Sequence, residues 1–236
     1  MRGPVRSIVN KKAVVLVSGG LDSAVTLYAA KRDGYECHCL AFDYGQRHRV
    51  ELEMAKKIAA SAGSNLEIVK LSLPWGGSSL LDTNDSIPTL RSPAAIKNSG
   101  IPSTYVPARN TIFLSIAASY AEAIDASAIF IGAHSEDSSG YPDCRKNYLE
   151  SFDRVLKTGT KRGLEGRLVL KFPLIGMGKR DIISLGVSMG VPFQYTWSCY
   201  AGGDRPCGEC DSCILRGKGF KEAWIEDPAW MTKCTR

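Results

Sequence analysis

The sequence predicts an α/β fold: a parallel sheet of five strands wrapped by helices, with a small cysteine-rich C-terminal lobe. Three observations predict it. Short β-branched apolar runs alternate with segments of helical period over most of the chain. The first run, Ala13 to Val17, ends in Ser18-Gly19-Gly20, a tight turn leading into a helix. Four of the eight cysteines, Cys199, Cys207, Cys210 and Cys213, crowd together near the C-terminus.

The elements follow in order. Ala13–Val17 reads as a buried strand, and Asp22–Lys31 as a helix with Leu21, Val25, Tyr28 and Ala29 inward. Tyr35–Ala41 reads as the second strand. Arg47–Ala62 is a helix burying Val50, Leu52, Met54, Ile58 and Ala59, and Leu66–Leu71 is the third strand. The pattern breaks at Pro74–Pro107, which is rich in Gly, Pro, Ser, Thr and Asn. It is too long for a plain connector and is expected to be a lid or binding loop, or else a disordered insertion. Asn110–Ile124 is an apolar helix and Ala128–Ile131 the fourth strand. A polar loop, Gly132–Asp143, leads to a helix over Lys146–Lys157. Leu168–Leu170 is the fifth strand, Arg180–Met189 a helix, and Ile214–Ala223 a short closing helix. The expected units are residues 1–198 and 199–236.

Composition narrows the function. The chain has 236 residues, 44% hydrophobic and 23% charged, which excludes intrinsic disorder, collagen-like repeats and a disulfide-knotted miniprotein. No apolar run approaches the ~20 residues of a membrane span. Arg2 and Arg6 are followed by no apolar stretch, so a cytoplasmic protein without a membrane partner is expected. The net charge of +6 is spread along the chain; it suits anionic ligands such as nucleotides, and no nucleic-acid partner is expected.

Ser18-Gly19-Gly20-Leu21-Asp22-Ser23 carries the first chemistry. Two glycines allow close backbone approach to a ligand. The helix that follows offers unpaired N–H groups and a partial positive charge to an anion, and Ser18 and Ser23 add hydroxyls. The string lacks the lysine of a P-loop NTPase. It resembles the PP-loop of the ATP pyrophosphatase superfamily, whose members adenylate a carbonyl oxygen and release pyrophosphate. The resemblance implies a five-stranded parallel sheet with helices on both faces, with ATP held by Ser18 to Ser23 at the C-terminal sheet edge.

Gaps of seven, two and two residues separate Cys199, Cys207, Cys210 and Cys213. Four thiolates at that spacing form a closed tetrahedral set, which points to one structural Zn²⁺ per chain. An iron–sulfur cluster is the competing reading.

Three further strings lie just past strands or at helix starts: Phe42-Asp43-Tyr44-Gly45-Gln46-Arg47-His48, Val106-Pro107-Ala108-Arg109-Asn110 and Gly140-Tyr141-Pro142-Asp143-Cys144-Arg145. Each mixes an aromatic or apolar residue with planar hydrogen-bonding groups, which suits a flat heterocycle. Tyr44 or Tyr141 would stack on it, Asp143 would pair with its N–H groups, and Gln46 and Arg47 would add polar contacts.

Taken with the first loop and the cysteines, these strings closely resemble the 7-cyano-7-deazaguanine synthase family of queuosine biosynthesis, from about Lys12 to Arg216. The resemblance implies an ATP-dependent carbon–nitrogen ligase (class 6.3.4) that turns 7-carboxy-7-deazaguanine, ammonia and ATP into the 7-nitrile. Arg109 and Lys179 are the expected phosphate partners. Asp22 is a ligand or water-bridged partner of Mg²⁺. His48 is either a proton carrier for ammonia or a surface helix residue. A homodimer is left open. The alternatives are a related PP-loop ligase that stops at the amide or uses another amine, a zinc-ribbon nucleic-acid-binding protein, and a sulfur-transferring PP-loop enzyme using Cys144.

Overall fold

The computed structural model describes residues 11–46, 50–82, 86–134 and 140–230. Its strands are β1 (Lys11–Leu16), β2 (Tyr35–Asp43), β3 (Asn65–Lys70), β4 (Ala128–Phe130) and β5 (Val169–Lys171). All neighbours pair in parallel, in the order β3-β2-β1-β4-β5. The central strand β1 must be apolar on both faces. Its alternation supplies this: Ala13 and Val15 enter one core, Val14 and Leu16 the other.

Helices α1 (Leu21–Arg32) and α2 (Val50–Ser61) cover the first face. The short α3 (Pro93–Asn98) lies in the long polar segment. The second face is covered by α4 (Arg109–Ala123) and α5 (Lys146–Gly159), and α6 (Lys161–Leu164) is a single further turn. Helices α7 (Lys179–Ser188) and α8 (Asp211–Glu222) return to the first face, through Ile182, Ile183 and Phe220. The expected five-stranded parallel sheet with helices on both faces is present.

Several details differ from the sequence reading. Helix α1 buries nearly its whole circumference, including Ser23 and Thr26, because α7 packs against it as well as the sheet. That approach needs Gly186, where a Cβ would sit 2.4 Å from the Phe193 ring and 2.9 Å from Val25. Helix α8 starts at Asp211 rather than Ile214, so that its first turn carries Cys213. The 74–107 segment is folded onto the cysteine lobe. Leu90 N–H donates to Glu209 O at 2.9 Å, Thr89 bridges to Cys210, and Arg91 makes a two-pronged ion pair with the buried Asp211. These contacts replace the regular structure that its composition does not support.

Chain order reverses between β1 and β4. In open parallel sheets that switch point opens a crevice beyond the carboxyl ends of the strands, and the first glycine-rich loop leaves β1 there.

Candidate active site

The loop after β1 is built by its own hydroxyls. Ser23 Oγ accepts from Ser18 N–H at 3.2 Å and donates to Gly20 O at 2.9 Å, while Gly20 N–H donates to Ser18 Oγ at 3.2 Å. Gly19 takes φ +85°, and a Cβ there would lie 2.1 Å from the Glu51 carbonyl oxygen. The glycine therefore lets the first turn of α2 close against the loop. Gly19 O accepts from Trp197 N–H at 2.9 Å, which ties the start of the C-terminal lobe to the same loop. Helix α1 has no side-chain cap, so its first N–H groups remain open to an anion.

A cavity of about 260 Å³ opens beside this loop. Ser18, Gly20, Leu21, Asp22 and Ser23 line one end. Phe42, Tyr44, Phe113 and Tyr141 line the other, with Phe42 and Phe113 stacked at 3.9 Å and an interplanar angle of 4°. Leu80 and Thr104 of the long segment, and Ser198, Tyr200 and Ser212 of the C-terminal lobe, complete the wall. The long segment is thus part of the site and is fastened to the lobe, which is the role expected of a binding loop. Tyr141 Oη lies 2.8 Å from Thr104 Oγ1, joining it to the strand-edge loop.

Arg109 begins α4 and donates to Tyr44 Oη at 3.1 Å, with its guanidinium over the Tyr44 and Phe113 rings. Among the described residues it makes no ion pair. Burial works against its charge, but Tyr44, Cys144 and Tyr141 together outweigh it and hold the pKa above its ordinary value. Glu51 also lines the cavity; burial pushes its carboxyl up to about 7 against the pull of Arg109. Burial likewise raises the Tyr44 phenol.

Asp22 and Lys179 meet across α1 and α7. Lys179 Nζ donates to both Asp22 oxygens at 2.9 Å and lies 2.9 Å from His134 Nε2; that nitrogen is 3.6 Å from Asp22 Oδ2. Burial opposes the charge on Asp22, yet Lys179 and His134 outweigh it and hold the carboxyl well below the usual range. Lys179, expected on phosphate, is paired with Asp22 in this structure, and Asp22 itself lines the cavity.

Two further expected site residues have partners within the protein. Asp143 is buried and lies outside the cavity lining. Its Oδ2 accepts from Asn110 N–H at 2.9 Å and so caps the N-terminus of α4. Gln46 lines the cavity, but its amide closes its own turn: Oε1 accepts from Tyr44 N–H and Nε2 donates to Phe42 O. Arg47 and His48 lie outside the described residues. Sequence reasoning did not single out Glu51 or His134. A glutamate in a first helical turn reads as a helix-dipole residue, whereas the position of His134 just beyond β4, at the sheet edge, was a usable signal.

The Sγ atoms of Cys199, Cys207, Cys210 and Cys213 all lie within 4.8 Å of one another. Backbone N–H groups aim at them: Ala201 and Cys207 at Cys199, Glu209 and Cys210 at Cys207, and Tyr200 at Cys210, at 3.3–3.5 Å. The neighbouring thiols of Cys210 and Cys213, helped by those N–H groups, hold Cys199 far below the ordinary thiol pKa. A set of thiolate donors with N–H support fits a four-coordinate metal.

The model of the queuosine biosynthesis protein QueC family matches residues 12–224, which include every residue of the cavity and all four cysteines. The chain belongs to the QueC family. Three curated relatives carry the name 7-cyano-7-deazaguanine synthase. That of Trichodesmium erythraeum is 52% identical over 92% of this chain and 99% of its own. That of Nostoc sp. is 53% identical over 92% and 96%. That of Thermoplasma acidophilum is 51% identical over 92% and 91%. QueC membership therefore extends over both faces of the sheet and the cysteine lobe together.

Proposed function

We propose that this QueC protein converts 7-carboxy-7-deazaguanine and ammonia to 7-cyano-7-deazaguanine in queuosine biosynthesis, using ATP twice, as a carbon–nitrogen ligase. The observation that carries the reading is a single cavity joining an uncapped helix N-terminus to a flat aromatic wall with an arginine that makes no ion pair among the described residues.

A carboxylate resists ammonia because its leaving group would be oxide. Its oxygen attacks the α-phosphate of ATP, giving an acyl adenylate and pyrophosphate. The anion accumulates at the N-terminus of α1, where Ser18 and Ser23 hold the loop open. Arg109, opposite, suits the substrate carboxylate, and the Phe42–Phe113 stack and Tyr141 suit the ring face. Ammonia displaces AMP to give the amide. Amide oxygen then attacks the α-phosphate of a second ATP and releases pyrophosphate, and loss of AMP with both N–H protons leaves the nitrile. Both halves depend mainly on positioning and on stabilising anions.

Mg²⁺ would neutralise phosphate charge when bound. At the loop end Asp22 is the carboxylate that faces it, and since Lys179 holds both Asp22 oxygens, Asp22 would reach the ion through water. Zn²⁺ in the cysteine set is structural in this reading, since four thiolates leave no open position; it would hold Ser198, Tyr200 and Ser212 against the cavity. Free ammonia as the nitrogen source and a cytoplasmic location belong to the same proposal.

The test incubates purified protein with ATP, Mg²⁺, ammonium and 7-carboxy-7-deazaguanine, and reads products by mass spectrometry and phosphorus NMR. The nitrile, AMP and pyrophosphate are expected. ADP and orthophosphate, or a product that stops at the amide, would overturn the mechanism.

A further inference from the structure

Making a nitrile from ammonia and an acyl group releases protons at each stage. Ammonium must lose one to become a nucleophile. The amine that expels AMP loses another, and the adenylated amide loses two as its oxygen departs. A base beside the reacting nitrogen is therefore required; His48 lies outside the described residues, and among those described none of the groups assigned above supplies it. Asp22 is held ionised by Lys179 and His134 and has little proton affinity. Asp143 is committed to capping α4. Arg109 stays charged, and burial keeps Tyr44 protonated.

Glu51 remains. It lines the cavity from the first turn of α2, on the wall between the phosphate loop and the aromatic end. Its placement is fixed by the backbone, because the Gly19 contact with the Glu51 carbonyl locks the start of α2 to the loop that holds ATP. Among the described residues the groups that act on its charge are Arg109 of α4 and the Tyr44 phenol beyond β2. Arg109, read above as the seat of the substrate carboxylate, thus faces the Glu51 carboxylate across the same space. We propose that Glu51 is the catalytic base that takes protons from the substrate nitrogen during amide and nitrile formation. The inference rests on the reaction proposed above.

The proton balance is explicit. The carboxylate of Glu51 takes a proton from ammonium, and ammonia adds to the acyl adenylate. The tetrahedral adduct expels AMP and passes its next proton to Glu51, which meanwhile has released the first to water. In the second half-reaction Glu51 takes a proton from the nitrogen as the C–O bond to AMP breaks and the C≡N bond forms; the last proton follows the same route. No oxidant or reductant is involved. A carboxyl that titrates near neutrality suits repeated uptake and release.

The experiment compares wild type with Glu51→Gln and Glu51→Asp. Adenylation removes no proton, so carboxylate-dependent ATP–pyrophosphate exchange should stay within a few-fold of wild type in Glu51→Gln. Amide formation from ammonium at pH 7 should fall by about 10²–10⁴-fold, the usual worth of a positioned base. Hydroxylamine is neutral at pH 7 and needs no prior deprotonation, so hydroxamate formation should be largely restored. Wild-type kcat should rise with pH through about 7, and Glu51→Gln should lose that inflection. Glu51→Asp, which keeps the carboxylate, should recover part of the amide rate. If exchange and amide formation fall together in a variant that melts like wild type, Glu51 has a structural role and the proposal fails. An unchanged amide rate in Glu51→Gln also overturns it. Failure of the underlying reaction would show differently, as absence of exchange in the wild type itself.

Discussion

Replacing Gly19 with alanine tests how closely the loop and α2 must approach. The added Cβ would lie 2.1 Å from Glu51 O and 3.0 Å from Ala55 N, both backbone atoms of one helix. A relaxed carbon–oxygen contact is about 3.3 Å, so the gap must open by about 1 Å. The φ of +85° adds strain for any residue with a Cβ. Left-handed backbone costs an alanine ~1–2 kcal/mol, and overpacking a well-filled contact costs ~1–3 kcal/mol. The sum, ~2–5 kcal/mol, lies below the ~5–15 kcal/mol that holds a domain together. The variant should therefore fold, with a melting temperature lower by roughly 5–15 °C. Moving α2 by that distance carries Glu51 away from the loop, and displacements of this size cost ~10²-fold in rate. Gly20→Ala is the control for stability: its φ is −81°, and its Cβ would meet Ser18 Oγ at 3.2 Å and Trp197 O at 3.6 Å. Thermal melts and turnover of both variants check the reasoning. A Gly19→Ala protein that melts and turns over like wild type would refute it.

Three further outcomes are expected. Arg216 is buried and bonded to both Asp227 oxygens, Thr196 and Ser198, so Arg216→Ala strands a buried carboxylate and should cost ~3–5 kcal/mol in urea unfolding; a loss under 1 kcal/mol would mean that solvent reaches the site. Metal analysis should find one zinc per colourless chain, and Cys210→Ser should loosen residues 199–211 and weaken ATP binding, while Phe220 keeps α8 on the sheet; a brown protein would point to iron–sulfur instead. Finally, burial pushes the folded Glu51 carboxyl up to about 7 from its ordinary 4.5, so between those values the folded state holds a proton that the unfolded state has lost. The contribution of Glu51 to stability therefore falls as pH rises from about 5 to 7. Wild type should lose stability relative to Glu51→Gln over that window in chemical denaturation, and parallel curves would disprove the shift.

The sheet and the two clusters of chemistry were legible in the sequence because each is coded by local spacing. Five short strand-like runs between helical segments are sufficient to specify a parallel sheet, and strand β1 shows why: its two-sided apolar pattern suits a central strand. Ser18 to Ser23 form an anion loop through bonds that span at most five residues. The cysteine gaps alone bring four sulfurs together. The 74–107 segment was legible only as an interruption, since its order comes from Glu209, Cys210 and Asp211, which lie more than a hundred residues away.

What only the tertiary structure decided is which polar residues face the cavity and which support it. Asp143 and Lys179 carry the right groups at the right edge, yet one caps α4 and the other neutralises Asp22. Glu51 looked like an ordinary first-turn acid until the Gly19 contact brought α2 against the loop. The physical reason is that a charged group's role depends on its partners and on its access to water. Spacing along the chain sets neither of these when the partners come from elements as distant in the chain as α1 and α7, or α4 and the loop before α5.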